Sequence, residues 1–140
     1  MKYYLAYGMN TNKENMANRC PKARSLGKVV LHDHRLVFKH HADAVRSPGA
    51  KMECALWIIT KECEASLDIL EGYPFYYNKK MVNVDFNGTT VPAMIYFMTD
   101  NHLYSAPAQG YLDMMNSGYQ AHGMDVDSIE RAHRESIVFA

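Results

Sequence analysis

Two short stretches of this chain bring together residue types suited to chemistry. The first is Tyr7-Gly8-Met9-Asn10, which follows the β-favouring run Lys2–Tyr7. Gly8 has no Cβ, so the backbone can turn sharply there and a ligand can approach it closely. A helix beginning a few residues later gathers free backbone N–H groups, which suit a carboxylate or a developing oxyanion. Asn10 can both donate and accept hydrogen bonds. The second stretch is Leu67-Asp68-Ile69-Leu70-Glu71-Gly72-Tyr73-Pro74, which sets a carboxylate at the end of an apolar helical face. The negative end of the helix dipole and the aromatic residues that follow both favour the uncharged form of Glu71 and raise its pKa. A raised carboxyl pKa is what general acid/base work near neutral pH requires. Each stretch also has an ordinary explanation: a plain turn in one case, a solvated Glu at a frayed helix end in the other.

The elements that position these residues can be read from caps and periodicity. Thr11 with Glu14 three residues later forms a capping box, which predicts a short helix over Asn12–Arg19, ended near Cys20-Pro21. Ala23–Leu31 and Arg35–Lys39 read as strands with His32-Asp33-His34 as their turn, and Asp43–Lys51 reads as a polar loop. Glu53–Ile59 suggests a buried strand. Thr60 then caps a helix over Lys61–Leu70, with Cys63, Leu67 and Leu70 at core-facing spacing and Gly72 as its stop. Asn78–Phe86 and Thr89–Met98 form a hairpin about Asn87-Gly88. Pro107–Asn116 and Val126–Arg134 read as helices. These elements predict an α+β fold of one domain over residues 1–140, its mostly antiparallel strands curling into a small barrel flanked by helices.

Composition narrows the function classes. Fifteen basic and fifteen acidic side chains cancel, which gives no electrostatic reason to expect nucleic acid or an anionic membrane as partner. No apolar run approaches the roughly 20 residues needed to cross a bilayer. Cys20, Cys54 and Cys63 are odd in number and lack paired spacing, so no disulfide framework is expected and a reducing cytoplasm fits. His32 and His34 alternate, and His40-His41 follow, but no carboxylate or Cys stands at ligand spacing, so no metal is expected.

Taken in order, the two stretches resemble the γ-glutamylcyclotransferase-like superfamily. Tyr7-Gly8-Met9-Asn10 is similar to that family's Tyr-Gly-Ser-Asn loop after the first strand, and Leu67-Asp68-Ile69-Leu70-Glu71-Gly72-Tyr73-Pro74 to its Leu-Asp-x-x-Glu-Gly-Tyr-Pro segment. Tyr77, or Tyr76, fits a tyrosine expected just downstream. Ala93-Met94-Ile95-Tyr96, then Pro107 with Tyr111, match the last strand and the helix after it.

The resemblance implies a compact barrel with a cavity where the loop and Glu71 meet. It also implies a cofactor-free reaction in which a γ-glutamyl compound cyclises to 5-oxoproline and releases an amine or amino acid. Glu71 would be the general acid/base, and Tyr7, Gly8, Met9, Asn10 and Tyr77 would bind the substrate. The sequence departs from the family at Met9, where Ser is usual. A backbone-only role tolerates that change; a hydroxyl contact would make the ligand differ. The alternative reading is a module that keeps the cavity and binds a small molecule without turnover.

Overall fold

A computed structural model describes residues 1–140. The elements are β1 (Lys2–Ala6), a 3-10 turn (Met9–Thr11), α1 (Lys13–Arg19), β2 (Arg24–Lys39), β3 (His41–Ile59), α2 (Lys61–Leu70), β4 (Tyr77–Phe86), β5 (Thr89–Met98), α3 (Gln109–Ala121) and α4 (Asp127–Val138). The five strands form one sheet in the order β2-β3-β1-β5-β4. All neighbours are antiparallel except β1 and β5. The sheet is not closed by backbone pairing, but it curls until Lys80 Nζ of β4 lies 3.2 Å from His34 Nε2 of β2. The result is barrel-like, with helices flanking it.

β1 lies at the centre because its residues have no polar face to offer water. Tyr4, Leu5 and Ala6 are all buried, and neighbours on both sides cover the strand's hydrogen-bonding edges. Leu5, Phe38, Leu56, Ile59, Ile95 and Met115 fill the continuous core behind it.

The segment from residue 24 to residue 59 differs from the sequence expectation. The predicted turn at His32-Asp33-His34 is an irregularity inside one long strand: Asp33 takes a φ of 59°, and the register shifts there. The predicted loop Asp43–Lys51 is mostly strand. Only Ser47–Ala50 bulge out, opposite Asp33, whose Oδ1 accepts from Gly49 N at 2.9 Å. The chain reverses instead at His40, with φ at 69°, between the paired residues Lys39 and His41. His is not a residue type that announces a turn.

Caps explain the helices. Thr60 accepts from Cys63 N at 3.1 Å and starts α2 as expected, and Gly72, with φ at 64°, ends it. The box at Thr11 does not form, because Asn12 competes for the cap, accepts from Asn15 N at 3.0 Å and starts α1 one residue late. Thr11 serves the 3-10 turn, its hydroxyl donating to Gly8 O at 2.7 Å. On α2, Cys63 and Leu67 are buried; truncating Leu67 to Ala would cost about 2–5 kcal/mol. Leu70 is 51% exposed and does not reach the core, a correction to its expected inward face. The helix turns Cys63 and Leu67 inward and leaves Leu70 out.

Cys20 and Cys63 form a disulfide with an S–S distance of 2.14 Å, which overturns the expectation of unpaired thiols. An odd count excludes a complete framework but not a single bridge that leaves Cys54 free. The end of α1 packs on the first turn of α2, and that contact brings the two sulfurs together. No helix is long and apolar enough to cross a membrane.

Candidate active site

The loop after β1 is held from three sides. Tyr7 donates its hydroxyl to Tyr96 O of β5 at 2.7 Å, and Tyr119 of α3 donates to Tyr7 O at 2.6 Å. Gly8 fits under Tyr111, where an added Cβ would lie 3.1 Å from the phenol oxygen and 3.2 Å from Ala42 Cβ. Gly118 of α3 lets that helix close onto the turn; a Cβ there would stand 2.5 Å from the Thr11 carbonyl carbon. The turn's own backbone bonds run from Thr11 N to Gly8 O and from Asn12 N to Met9 O. They leave the N–H groups of Gly8, Met9 and Asn10 outside that pattern.

Glu71 is the C-cap of α2, its N–H bonded to Leu67 O at 2.8 Å and its carbonyl accepting from Tyr77 N at 3.2 Å. Those bonds fix the backbone where β4 departs and leave the carboxylate on the wall of a cavity of about 450 Å³. Burial raises the pKa of Glu71 to about 7, against the opposing pull of the Arg19 guanidinium. Asn10 Nδ2 donates to Tyr4 Oη at 3.0 Å and reaches Glu71 Oε1 at 3.5 Å. The turn and the carboxylate thus meet through one side-chain amide.

Tyrosines recur around the remaining wall, and their hydroxyls are engaged. Tyr77 donates to Ala42 O at 2.5 Å, Tyr96 donates to Asp68 Oδ1 at 2.6 Å, and Tyr111 accepts from Ala42 N at 3.1 Å. Burial pushes Tyr111 up to about 12 and Tyr4, Tyr7 and Tyr77 up as well, so these phenols stay protonated at neutral pH. His41 lines the cavity and shares a 2.9 Å hydrogen bond through Nδ1 with Tyr76 Oη. Burial and neighbouring His40 lower its pKa, so it is neutral at pH 7. Arg19 lines the same cavity, its Nη1 donating to Asn10 Oδ1 at 2.7 Å. Ile69 and Leu70 sit at the mouth.

This loop-and-carboxylate cavity lies within the region covered by a family model for gamma-glutamyl cyclotransferase, AIG2-like proteins, which matches residues 4–119. The chain belongs to the gamma-glutamyl cyclotransferase, AIG2-like family. A solved structure described as a gamma-glutamyl cyclotransferase superposes with a TM-score of 0.83 at 25% identity, covering 94% of this chain and 85% of that one. An uncharacterized protein from Homo sapiens superposes with a TM-score of 0.81, also at 25% identity and with the same coverage. YkqA from Bacillus subtilis shares the fold, with a TM-score of 0.80 at 20% identity, covering 99% of this chain and 55% of that one. No curated protein sequence matches the chain.

Within this AIG2-like cavity the structure brings Tyr7, Gly8, Met9, Asn10, Glu71 and Tyr77 onto one wall system. Sequence reasoning missed Arg19, His41 and Tyr4 as lining residues. A helix-end Arg usually reads as a charge facing water. Its signal here is position, since the short α1 returns its last residue to the turn it left. His41 had no readable signal, because the loop assigned nearby is strand.

Proposed function

We propose that this family member is a γ-glutamylcyclotransferase: the substrate's own α-amino nitrogen attacks its γ-glutamyl carbonyl, closing 5-oxoproline and releasing an amine. The observation that carries this reading is the placement of Glu71, a carboxyl poised near neutrality, beside the glycine turn on the wall of one cavity.

The substrate arrives with an α-ammonium group, and Glu71 in its ionised form takes one proton from it. The freed amine forms the new C–N bond within the same molecule, so holding the chain folded is the main task. A cavity of about 450 Å³ with engaged, unyielding tyrosines favours a folded over an extended glutamyl chain. Negative charge develops on the carbonyl oxygen, and the N–H groups of Gly8, Met9 and Asn10 are the candidates to meet it; one well-placed donor contributes about 3 kcal/mol. The ring nitrogen, which still carries two hydrogens after the attack, gives up one of them. The amide C–N bond breaks as Glu71 returns its own proton to the leaving nitrogen, and the released amine takes up the other to leave as an ammonium. Tyr7 and Tyr77, fixed to Tyr96 O and Ala42 O, shape the wall against which the ring closes.

Incubation with a panel of γ-glutamyl amides, γ-glutamyl amino acids and glutathione, followed by chromatography for 5-oxoproline, tests the reading. Wild type should release it from at least one and Glu71→Gln from none. If wild type binds such compounds and releases none, the cavity is a binding module and the enzyme reading fails.

A further inference from the structure

Arg19 is a charged side chain on the wall of a largely apolar cavity, yet no carboxylate lies within ion-pair distance of it. One arm of its guanidinium donates to Asn10 Oδ1 at 2.7 Å. The other, Nη2, reaches only Met9 Sδ at 3.8 Å. A thioether is a weak acceptor, so a strong fork of donors is left half used beside the loop and Glu71. Neither position was assigned this chemistry by sequence, and Met9 is where the chain departs from its family's usual Ser.

We propose that Arg19 binds the substrate's α-carboxylate, which takes the place of Met9 Sδ on Nη2, so that Met9 covers the guanidinium and moves aside when a carboxylate enters. The name of the ligand rests on the γ-glutamyl reading; the carboxylate chemistry rests on the guanidinium. Asn10 makes the arrangement specific. It joins Arg19 to Glu71 through its two ends, and so sets the spacing between a bound α-carboxylate and the group that would deprotonate the adjacent α-ammonium. An ion pair at this depth is bidentate-capable and partly desolvated, which is the setting in which an Arg–carboxylate contact gives appreciable affinity.

The product tests this without requiring turnover. Calorimetric titration compares 5-oxoproline with 2-pyrrolidinone, the same lactam lacking the carboxylate, against wild type, Arg19→Gln and Arg19→Lys, each checked for folding by circular dichroism. The expected result is preference of wild type for 5-oxoproline and a rise of about 10- to 100-fold in its Kd in Arg19→Gln, the range for a charge-assisted hydrogen bond. Arg19→Lys, which keeps the charge and loses the fork, should fall between, and 2-pyrrolidinone should bind all three alike. Equal affinity of wild type and Arg19→Gln for 5-oxoproline, or no binding to wild type, overturns the proposal. Turnover without Arg19 dependence overturns it and leaves the cyclotransferase reading standing; Arg19-dependent binding without turnover does the reverse.

Discussion

Asn10 and Glu71 belong to segments separated by α1, two long strands and α2, yet the Asn10 amide nitrogen stands 3.5 Å from Glu71 Oε1. If Glu71 carries the proton, then Glu71→Gln keeps the shape and removes the base. The expected outcome is a fall of about 10²- to 10⁴-fold in 5-oxoproline release, the usual range for one acid/base group. Affinity for 5-oxoproline should change little. Undiminished turnover by the Gln variant would sink the assignment.

The pH dependence has a definite sign. Activity requires ionised Glu71, so kcat/KM should rise through about pH 7 and then level off. Arg19 is the influence pulling that value down, so Arg19→Gln should move the limb to higher pH. A profile rising with a midpoint near 4.5, the ordinary carboxyl value, would point to another group.

Stability should run the other way. Between about 4.5 and about 7 the unfolded chain has lost the Glu71 proton while the folded chain keeps it, so rising pH weakens the fold across that window. Glu71→Gln has no such loss. Relative to wild type it should gain urea resistance at pH 8 and show little difference at pH 4. Equal offsets at both pH values would contradict the raised pKa.

Much of the fold was legible where local chemistry and tertiary structure agree. Thr60 and Gly72 delimited α2, and Asn87-Gly88 gave the β4–β5 hairpin its turn. Legibility failed where a strong local signal was overridden. Asp33 and the Ser47-Pro48-Gly49 run carry turn residues, but the long β2–β3 ladder absorbs them as a bulge. At the site, Glu71 and the glycine loop each had an ordinary explanation by residue type, and it was their ordered resemblance to one family's two motifs that singled them out as candidates. Arg19 was not, because its role depends on α1 doubling back toward Met9 and Asn10, which no spacing announces.

The Cys20–Cys63 bond closes a sequence separation of 43 residues and should contribute about 2–4 kcal/mol. The paired substitution Cys20→Ser with Cys63→Ser should lower the urea midpoint accordingly. Alkylation offers a second check: buried Cys54, its thiol pushed up to about 12, should react only after denaturation, and the other two only after reduction as well. Three reactive thiols in unreduced, denatured protein would rule the bond out.

Gly118→Ala should damage the site from a distance. Its new methyl carbon would lie 2.4 Å from Thr11 Oγ1 and 2.6 Å from Asn12 N, too close for either to remain. Overpacking of this kind costs about 1–3 kcal/mol. Displacement of the turn should also raise KM. An unchanged urea midpoint would mean that α3 can shift freely.

The leaving group should be apolar. Arg19 is the sole cation on the cavity wall at neutral pH, and Ile69, 82% exposed, stands with Leu70 at the mouth. A γ-glutamyl alkylamide should therefore exceed γ-glutamyl-glutamate by about tenfold or more in kcat/KM, a gap of about 1.4 kcal/mol that partial cover of one Leu-sized group supplies. Equal rates would place the leaving amine elsewhere.

The order of strands has a kinetic consequence. β1 carries the turn, pairs with β3 through residues as late as Ile59, and receives its parallel neighbour β5 only at Met94 and Ile95. Contacts of such long range form slowly, since the closure entropy precedes the gain from pairing. A chain emerging from the ribosome therefore holds β1 without its parallel neighbour until Met94 and Ile95 have followed. Its cavity, walled from both sides of that strand, is among the last features to form.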